Sequence, residues 1–425
     1  MALLQVAPEK TFFLCDNQPF FYLADTCWSA FTNITLEEWE EYLNYRRLQG
    51  FNALQINVLA QWDASLPYLY FPFKRDSEGN FSSFELDEGY FDRAEKMLKM
   101  AKEKGFILAL VLLWCNYVPD TWGSERKMNP VMPLEVMENY VKYVVGKFSK
   151  FEPIWIISGD TNFGSEKTVD YYLTALQIVK SISPDALTTF HLNPPSDLPE
   201  RIVASSLLDF YMYQSGHGRE EQNLPYTLAQ RFYNKSVKRP VINGEPCYEG
   251  HAYGGTKNGR FSAFDVRKAI WQSLLSGAKG GVAYGAHGIW SWHRRGREFR
   301  GMEFSGEPFE WRDALRLEGA WDAGFAKKIF EEYHLFDLEP AQHLLLNSAE
   351  EIRVAKSQDG EKLAIYSPFA DRVTLRFDLR GYKVVGVDLS KRQWLMPEVT
   401  LDRDISTIEM VPQNSDFLFL IWKIT

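Results

Sequence analysis

Eight nearly continuous apolar runs, each followed by an amphipathic stretch, constrain the fold of this chain more than any other feature. They lack the strict alternation of a strand with one face in water. Strands that are apolar on both faces are typical of a parallel sheet covered by helices. The runs lie at 20–28, 51–59, 106–114, 153–160, 187–193, 208–215, 240–246 and 280–290.

Helical patterns lie between these runs. The first, at 35–49, opens with a capping box formed by Thr35 and Glu38, and Gly50 ends it. Eight strand–helix units predict an α/β fold, a (β/α)8 TIM barrel, over residues 1–335. An open doubly wound sheet is the alternative, but no G-x-G-x-x-G follows the first run. The other helical patterns lie at 88–104, 134–149, 166–182, 199–206, 224–235, 263–276 and 312–332.

The two ends of the chain carry different patterns. The segment KTFFLCDNQPFF predicts a hairpin that turns at Asp16–Asn17 and covers the bottom of the barrel. From about residue 336, short β-like segments alternate with turns, which predicts a small antiparallel β-sandwich over 336–425. It contains no catalytic constellation. Glycan binding, an oligomer contact and bracing of the barrel are its three candidate roles, and bracing is the one we expect.

Composition and charge exclude several classes of protein. The net charge of −9 and the absence of a basic stripe argue against a nucleic-acid surface. The longest apolar run, 106–114, is too short to cross a bilayer, and the N-terminus lacks the features of a signal peptide. We therefore expect a cytoplasmic protein with no membrane partner. Its four cysteines have no metal-type spacing and are expected to be reduced thiols.

The carboxyl ends of the strands are where such barrels place their chemistry. Polar and aromatic side chains lie at or just beyond the ends of the predicted strands. An aromatic content of 15% also fits a ligand with flat faces, such as a sugar. The candidates are Asp25, Trp28, Asn57, Trp114, Asn116, Asp160, Asn162, His191, Asn193, Gln214, His217, Glu245, Tyr248 and Trp290.

Asp160 and Glu245 end the fourth and seventh runs and form a candidate pair of acids. Glycoside cleavage needs one carboxylic acid to protonate the leaving oxygen. It needs a second carboxylate to attack the anomeric carbon or to activate water. A lone carboxylate at a strand end is also often a helix cap, and this alternative stays open for Asp160. Asp25 is the rival carboxylate.

Metal and phosphate chemistry have less support. The seven histidines include no His-x-His and no His-Glu-x-x-His spacing. The segment GAHG at 285–288 is a weak phosphate-loop candidate. We expect no metal and no organic cofactor, and an oligosaccharide or glycoside as substrate. The oligomeric state stays open.

Three motifs, FFYLADTCW (20–28), WIISGD (155–160) and PVINGEPCYEG (240–250), together resemble the apiosidase-like glycoside hydrolases. Those are clan A barrels, retaining in type and related to cellulase-like enzymes. They are often followed by a sandwich described as a collagen-binding domain. The resemblance implies that Asp160 is the general acid/base and Glu245 the nucleophile, and that Asp25 and Trp28 shape the pocket floor.

One departure from clan A follows the fourth strand. Clan A barrels usually present Asn-Glu there, whereas this chain has Gly159-Asp160, as the apiosidase-like group does. Because Asp is one methylene shorter than Glu, the separation of the two carboxyl groups is open. Retention of anomeric configuration expects a separation of roughly 5 Å and inversion expects more.

The sequence thus predicts a glycoside hydrolase acting on a short or terminal glycosidic bond. A barrel that binds carbohydrate without cleaving it is one alternative. A barrel isomerase or lyase acting on a sugar is the other. In the hydrolase, four residues would hold hydroxyl groups and three would form stacking walls: Asn162, His191, Asn193 and Gln214, and then Trp114, Tyr248 and Trp290.

Overall fold

The computed structural model describes residues 4–78, 81–127, 130–254, 259–369, 372–410 and 415–424. At its centre, eight parallel strands form one sheet. They are β1 (Tyr22–Thr26), β2 (Ala53–Asn57), β3 (Ile107–Trp114), β4 (Ile154–Gly159), β5 (Thr188–Thr189), β6 (Tyr211–Gln214), β7 (Val241–Glu245) and β8 (Gly281–Tyr284). Their spatial order is β5–β4–β3–β2–β1–β8–β7–β6. The predicted barrel is therefore confirmed.

The barrel is nearly closed, with its seam between β5 and β6. No ladder pairs these two strands in the described residues. Instead, the N–H of Asp209 donates to the Thr188 carbonyl at 3.1 Å. The Thr189 hydroxyl donates to the carbonyl of Phe210 at 2.8 Å. One backbone hydrogen bond and one side-chain hydrogen bond therefore join the two strands at this seam, where the other neighbouring strands pair through their backbones.

A helix follows each strand. They are α1 (Leu36–Leu48), α2 (Glu88–Glu103), α3 (Leu134–Phe148), α4 (Glu166–Ile182), α5 (Glu200–Val203), α6 (Leu224–Tyr233), α7 (Ala263–Leu274) and α8 (Gly319–Glu332). The capping box of α1 forms as predicted, with Thr35 and Glu38 bonding each other's backbone. In the part of the chain that the structure describes, no helix is both long and apolar enough to cross a membrane.

The helix predicted at 312–332 is two helices, Trp311–Leu315 and α8. The break has a polar cause. The Arg46 guanidinium donates to the Leu315 carbonyl at 3.2 Å, at the end of the first helix. The N–H of Gly319, the first residue of α8, donates to Glu249 Oε2 at 2.8 Å. The chain therefore turns where buried side chains bind its free backbone groups.

Short elements form the loops above the barrel. Three are helices, at Ala30–Asn33, Trp122–Glu125 and Met302–Ser305. Two are ribbons, in which Ser65–Leu66 pairs with Glu298–Phe299 and Phe73–Arg75 pairs with Phe81–Leu86.

An N-terminal hairpin closes the lower end of the barrel, as predicted. Strands Leu4–Val6, Phe13–Cys15 and Gln18–Phe20 form a small antiparallel sheet. Asp16 and Asn17 adopt positive φ at its turn, which suits a tight hairpin between right-twisted strands. The Phe13 ring packs edge-on against Phe210, which precedes β6, with ring centroids 5.2 Å apart.

The C-terminal part folds into two antiparallel sheets, of six and three strands. One apolar cluster takes side chains from both, so the sheets enclose a core between them. The larger sheet runs Leu338–Pro340, Arg353–Ser357, Lys362–Ser367, Phe417–Lys423, Tyr382–Asp388 and Gln393–Leu395. The smaller runs Val373–Leu375, Ile405–Glu409 and Glu398–Asp402.

Side chains on opposite faces of one strand connect these sheets to the barrel. Along Lys362–Ser367, Leu363 and Ile365 point into the core between the two sheets. Ala364 and Tyr366 instead belong to the large core of the barrel. Because successive strand residues face opposite sides, one strand serves two cores.

A buried ion network reinforces this interface. Arg267 on α7 contacts Asp322 on α8 at 2.8 Å and Asp416 at 2.9 Å, and both carboxylates are completely buried. Arg392 contacts the second oxygen of Asp322 at 2.8 Å. Removing one member of such a group leaves buried charges unpaired, which is costly.

We expect Arg267→Ala to lower the free energy of unfolding by about 3–5 kcal/mol, because buried Asp416 loses its cationic partner and Asp322 keeps only Arg392. Urea unfolding followed by circular dichroism measures this change. Arg295→Ala is the matched control, since Arg295 is 87% exposed and 3.9 Å from Asp313. It should change stability by less than about 0.5 kcal/mol. Equal effects of the two substitutions would contradict a bracing role for the C-terminal sheets.

The four cysteines are free, as expected. Burial raises the pKa of the Cys27, Cys115 and Cys247 thiols. These thiols therefore pack as small apolar groups.

Candidate active site

A cavity of about 160 Å³ opens at the carboxyl ends of the barrel strands. Eight of the fourteen predicted site residues line it: Trp28, Trp114, Asp160, Gln214, His217, Glu245, Tyr248 and Trp290. Seven further residues complete its wall: Gln61, Trp62, Asp63, Trp122, Arg126, His251 and Phe304. A larger cavity of about 540 Å³, beside Tyr68 and Arg300, has Glu298 as its one acidic residue among the described ones. The candidate chemistry therefore lies in the smaller cavity.

Glu245 ends β7 and is held at both carboxylate oxygens. Its Oε1 accepts hydrogen bonds from Gln214 Nε2 at 3.2 Å and from His217 Nε2 at 3.0 Å. Its Oε2 lies 3.1 Å from His191 Nε2. A carboxylate offers about four lone-pair sites, so a site remains for another partner.

Two backbone N–H groups set the tautomers of these histidines. The N–H of Asp160 donates to His191 Nδ1 at 2.9 Å, and the N–H of Tyr248 donates to His217 Nδ1 at 3.3 Å. A ring nitrogen that accepts a hydrogen bond carries no proton. The proton of each neutral imidazole therefore sits on Nε2 and faces Glu245.

These contacts outweigh the effect of burial on Glu245. Burial alone would raise the pKa of this carboxyl, but hydrogen bonds from His191 and His217 lower the pKa of Glu245 to about 2. Glu245 is therefore ionised at neutral pH.

Asp160 follows β4 in a left-handed conformation, with φ of 48°. Asp tolerates this region better than most residues. The turn places its N–H against His191 and lets its carbonyl accept a hydrogen bond from Trp122 Nε1 at 2.6 Å. Helix α4 is capped by Ser165 instead, whose side chain accepts the N–H of Thr168. Asp160 is thus not the cap of that helix.

The carboxyl group of Asp160 is shifted in the opposite direction to that of Glu245. Burial raises its pKa well above the ordinary value, and the charges of Glu245 and then Asp63 raise it further. Arg126 acts weakly against this shift. One cavity thus shifts the pKa values of two carboxyl groups in opposite directions, lowering that of Glu245 and raising that of Asp160.

Aromatic side chains wall the cavity. The Trp114 ring lies directly over Gly159, where a Cβ would come within 2.2 Å of the ring. Trp28 packs edge-on against Trp114 at 5.3 Å, and its Nε1 donates to the Tyr248 hydroxyl at 2.7 Å.

His191 is the ninth predicted residue that contributes. It is completely buried beneath the cavity wall and acts through its contact with Glu245. The sequence predicts that it holds hydroxyl groups, and the structure places its imidazole on a carboxylate instead.

Five predicted residues do not line the cavity. The Asp25 carboxylate is completely buried and bonds Arg46 Nε at 2.6 Å and the Tyr42 hydroxyl at 2.7 Å. Asn162 accepts the N–H of Trp122, and Asn193 accepts the Ser196 hydroxyl.

Asn57 and Asn116 lie inside the protein. Asn57 accepts the N–H of Leu59 at 3.3 Å, which shapes the chain after β2. Asn116 is completely buried beside the cavity wall. Strand-end position alone cannot separate such structural amides from ligand-binding ones.

Asp63 is the most informative residue that strand-end reasoning missed. It lies six residues beyond β2, in a loop that pattern analysis does not place. The signal was Trp62-Asp63, an aromatic–acid pair in a loop at the catalytic end of the barrel.

Comparison with known proteins agrees with this geometry. The model of the apiosidase-like catalytic domain matches residues 8–337. The chain belongs to this family. The match ends where the C-terminal sheets begin, and among curated proteins none matches the chain.

Solved structures show that the apiosidase-like protein has the fold of glycoside hydrolases. One structure, described as a glycoside hydrolase, has a TM-score of 0.83 at 19% identity and covers 99% of this chain and 97% of its own. A glycoside hydrolase family 5 protein from Bacteroides vulgatus ATCC 8482 has a TM-score of 0.82 at 20% identity, with 99% and 93% covered. A family 5 mannosidase from Rhizomucor miehei has a TM-score of 0.52 at 11% identity, with 78% and 99% covered. Family and fold together support glycosidase activity.

The histidine tautomers are directly testable. In protein labelled with ¹⁵N-histidine, we expect His191 and His217 to show unprotonated Nδ1 and protonated Nε2 at neutral pH. The backbone N–H groups of Asp160 and Tyr248 are the physical reason. Substitutions of single histidines assign the signals. Protonation of both nitrogens on both rings would contradict this arrangement.

Proposed function

We propose that this protein is a glycoside hydrolase that acts by a double displacement, with Glu245 as nucleophile and Asp160 as general acid and base. The observation that carries the proposal is the opposite direction of the two pKa shifts within one cavity. When the surroundings shift the pKa values of two neighbouring titratable groups in opposite directions, one group can act as acid and the other as base or nucleophile.

The first step transfers the sugar to the protein. The Glu245 carboxylate attacks the anomeric carbon, the bond to the leaving oxygen breaks, and Asp160 gives its proton to that oxygen. Asp160, now ionised, accepts a proton from water while the water oxygen attacks the anomeric carbon. The Glu245 carboxylate leaves, and the sugar is released with its original configuration.

The size of the cavity supports a short or terminal glycosidic bond as the target. Its volume of about 160 Å³ lies below the roughly 300–1,000 Å³ of sites for larger ligands. Trp28, Trp114, Tyr248 and Trp290 offer rings to the apolar faces of one sugar unit. Product anomers followed by NMR distinguish retention from inversion.

The two carboxyl groups should respond differently to the leaving group. With aryl glycosides of poor leaving ability, we expect Asp160→Asn to lower kcat/KM by about 10²–10⁴-fold. With a dinitrophenyl leaving group, which needs no protonation, the loss should largely disappear. Glu245→Gln should lose about 10⁴-fold or more with both kinds of substrate, because it removes the nucleophile.

Glu249→Gln is the matched control for these variants. Glu249 lies four residues beyond Glu245, but its carboxylate bonds the Tyr284 hydroxyl at 2.6 Å and a backbone N–H outside the cavity. This variant should keep its activity at 25 °C. If Asp160→Asn and Glu245→Gln both retain full activity, the assignment is wrong. If no glycoside is cleaved but sugars bind, the protein is a carbohydrate-binding barrel.

The alkaline limb of the pH profile of kcat/KM should follow the titration of Asp160. Activity needs Asp160 protonated, so kcat/KM falls as pH rises through its raised pKa. Glu245 must be ionised, and its pKa of about 2 places that requirement far below neutral pH. With aryl glycosides of poor leaving ability, which need the proton, Asp160→Asn should flatten the alkaline limb of the profile because the titrating acid is gone. A limb that is unchanged in this variant would assign the titration to another group.

A further inference from the structure

The segment Gln61–Trp62–Asp63 forms one wall of the cavity and carries two unsatisfied acceptors. Gln61 is 3% exposed, lines the cavity, and its Oε1 is buried without a hydrogen-bond partner among the described residues. Asp63 lines the same cavity, and its Oδ1 is likewise buried and unpartnered there. A buried polar atom without a partner is unfavourable, and where it also lines a cavity a ligand can supply the missing hydrogen bond.

The wall is rigid, as a binding site requires. The Tyr68 hydroxyl donates to the Gln61 carbonyl at 2.6 Å, and the Tyr117 hydroxyl donates to the Ala60 carbonyl at 2.9 Å. The N–H of Ser65 donates to the carbonyl of Ser291 at 3.3 Å. The backbone of the segment is therefore fixed on both sides before any ligand binds.

Packing of Trp62 fixes the side of the wall that faces the cavity. Its ring packs edge-on against Trp122 at 6.1 Å and against Phe304 at 5.7 Å. The Arg126 guanidinium lies 5.3 Å from the same ring. No ion pair joins Arg126 to Asp63 within the part of the chain that the structure describes.

The chemistry of the two atoms defines what they can bind. Both are acceptors, since one is an amide oxygen and the other a carboxyl oxygen. Their partners must therefore be donors, and the donors of a sugar are its free hydroxyl groups. Gln61 and Asp63 are one residue apart, which suits two hydroxyl groups on one ring.

We propose that Gln61 and Asp63 bind neighbouring free hydroxyl groups of the sugar unit whose bond is cleaved, and so select an unmodified, uncharged sugar. This rests on the proposed function, because it assigns specificity at that same site. A methylated or missing hydroxyl leaves a buried acceptor unpaired. A carboxylate on the sugar at this position offers no proton to Asp63 and enters a cavity that already holds the charge of Glu245. The wall therefore rejects both kinds of sugar.

The charge of Asp63 also reaches the acid. Burial, with the nearby charge of Glu245, raises the pKa of Asp63 to about 7. Asp63 in turn raises the pKa of Asp160. A hydroxyl that bonds Asp63 therefore lies close to the group that delivers the proton.

Deoxy sugars test the proposal in the complete protein. The probes are the aryl glycoside that the protein cleaves best and its single-deoxy analogues at the ring hydroxyls. In the wild type, we expect the analogue that lacks the hydroxyl bound by Asp63 to have a kcat/KM about 10- to 100-fold below that of the parent glycoside. A neighbouring analogue should lose about 3- to 10-fold at the Gln61 partner.

Variants assign each loss to its residue. In Asp63→Ala, the larger ratio of kcat/KM between the parent glycoside and its deoxy analogue should shrink below about 3-fold. Gln61→Met should remove the smaller ratio, which belongs to the neighbouring hydroxyl. Asp63→Asn keeps the shape and an acceptor oxygen and should retain part of the discrimination. Glu303→Gln, which changes an exposed carboxylate beside the wall residue Phe304, is the control and should discriminate as the wild type does.

A binding measurement separates this proposal from the proposed function. Saturation-transfer NMR with methyl glycosides of glucose, galactose, mannose, xylose and arabinose, and their deoxy analogues, needs no hydrolysis. If nothing is cleaved but binding shows the same dependence on Asp63, the hydrolase fails and this proposal stands. If substrate is cleaved but folded Asp63→Ala and Asp63→Asn both keep the wild-type discrimination, this proposal is overturned and the hydrolase stands.

Discussion

Two imidazoles, each fixed by a backbone N–H group, hold the carboxylate of Glu245, and the chemistry of the cavity depends on that contact. One of the N–H groups belongs to Asp160 itself. The same residue thus orients His191 with its backbone and presents a carboxyl group with its side chain. The left-handed turn at Asp160 makes both possible, because it turns the N–H towards β5. The two carboxyl groups are in this way parts of one assembly.

The contact between the histidines and Glu245 also affects the pKa of Asp160. Because the histidines keep Glu245 charged, its negative charge raises the pKa of Asp160. Had Glu245 been protonated, Asp160 would lose one of the causes that keep it an acid. Burial is the larger cause of the raised pKa of Asp160, and the narrow cavity with its aromatic walls supplies that burial. The buried pair of Asp25 and Arg46 lies between β1 and α1, where it joins strand and helix outside the cavity.

The sequence predicts much of this, for physical reasons that differ by element. Strands buried on both faces leave long apolar runs, so β1 to β8 were evident. The sequence also marked Asp160 and Glu245 as a candidate pair of acids, because they end the fourth and seventh apolar runs. Contacts between distant segments were not predictable. Asn162 and Asn193 bond loop groups, and nothing local distinguishes them from Gln214, whose amide reaches the cavity and bonds Glu245.

Loops set the remaining limits. The position of Asp63 depends on how Tyr68 and Tyr117 bind the loop backbone, which no pattern within the loop reveals. The interruption before α8 depends on Arg46 and Glu249, which lie far from it in sequence. Where the fold is made of repeating units, local pattern suffices. Where side chains from separate units meet, only the structure shows the partners.

The central claim is that one cavity keeps one carboxyl group charged and another protonated. Selective ¹³C labelling of Asp and Glu carboxyl groups, with Asp160→Asn and Glu245→Gln for assignment, measures this by NMR titration. Glu245 should titrate near pH 2, and Asp160 should titrate well above the ordinary range of an aspartate. If both groups titrate together near pH 4, where free carboxyl groups do, the account is contradicted.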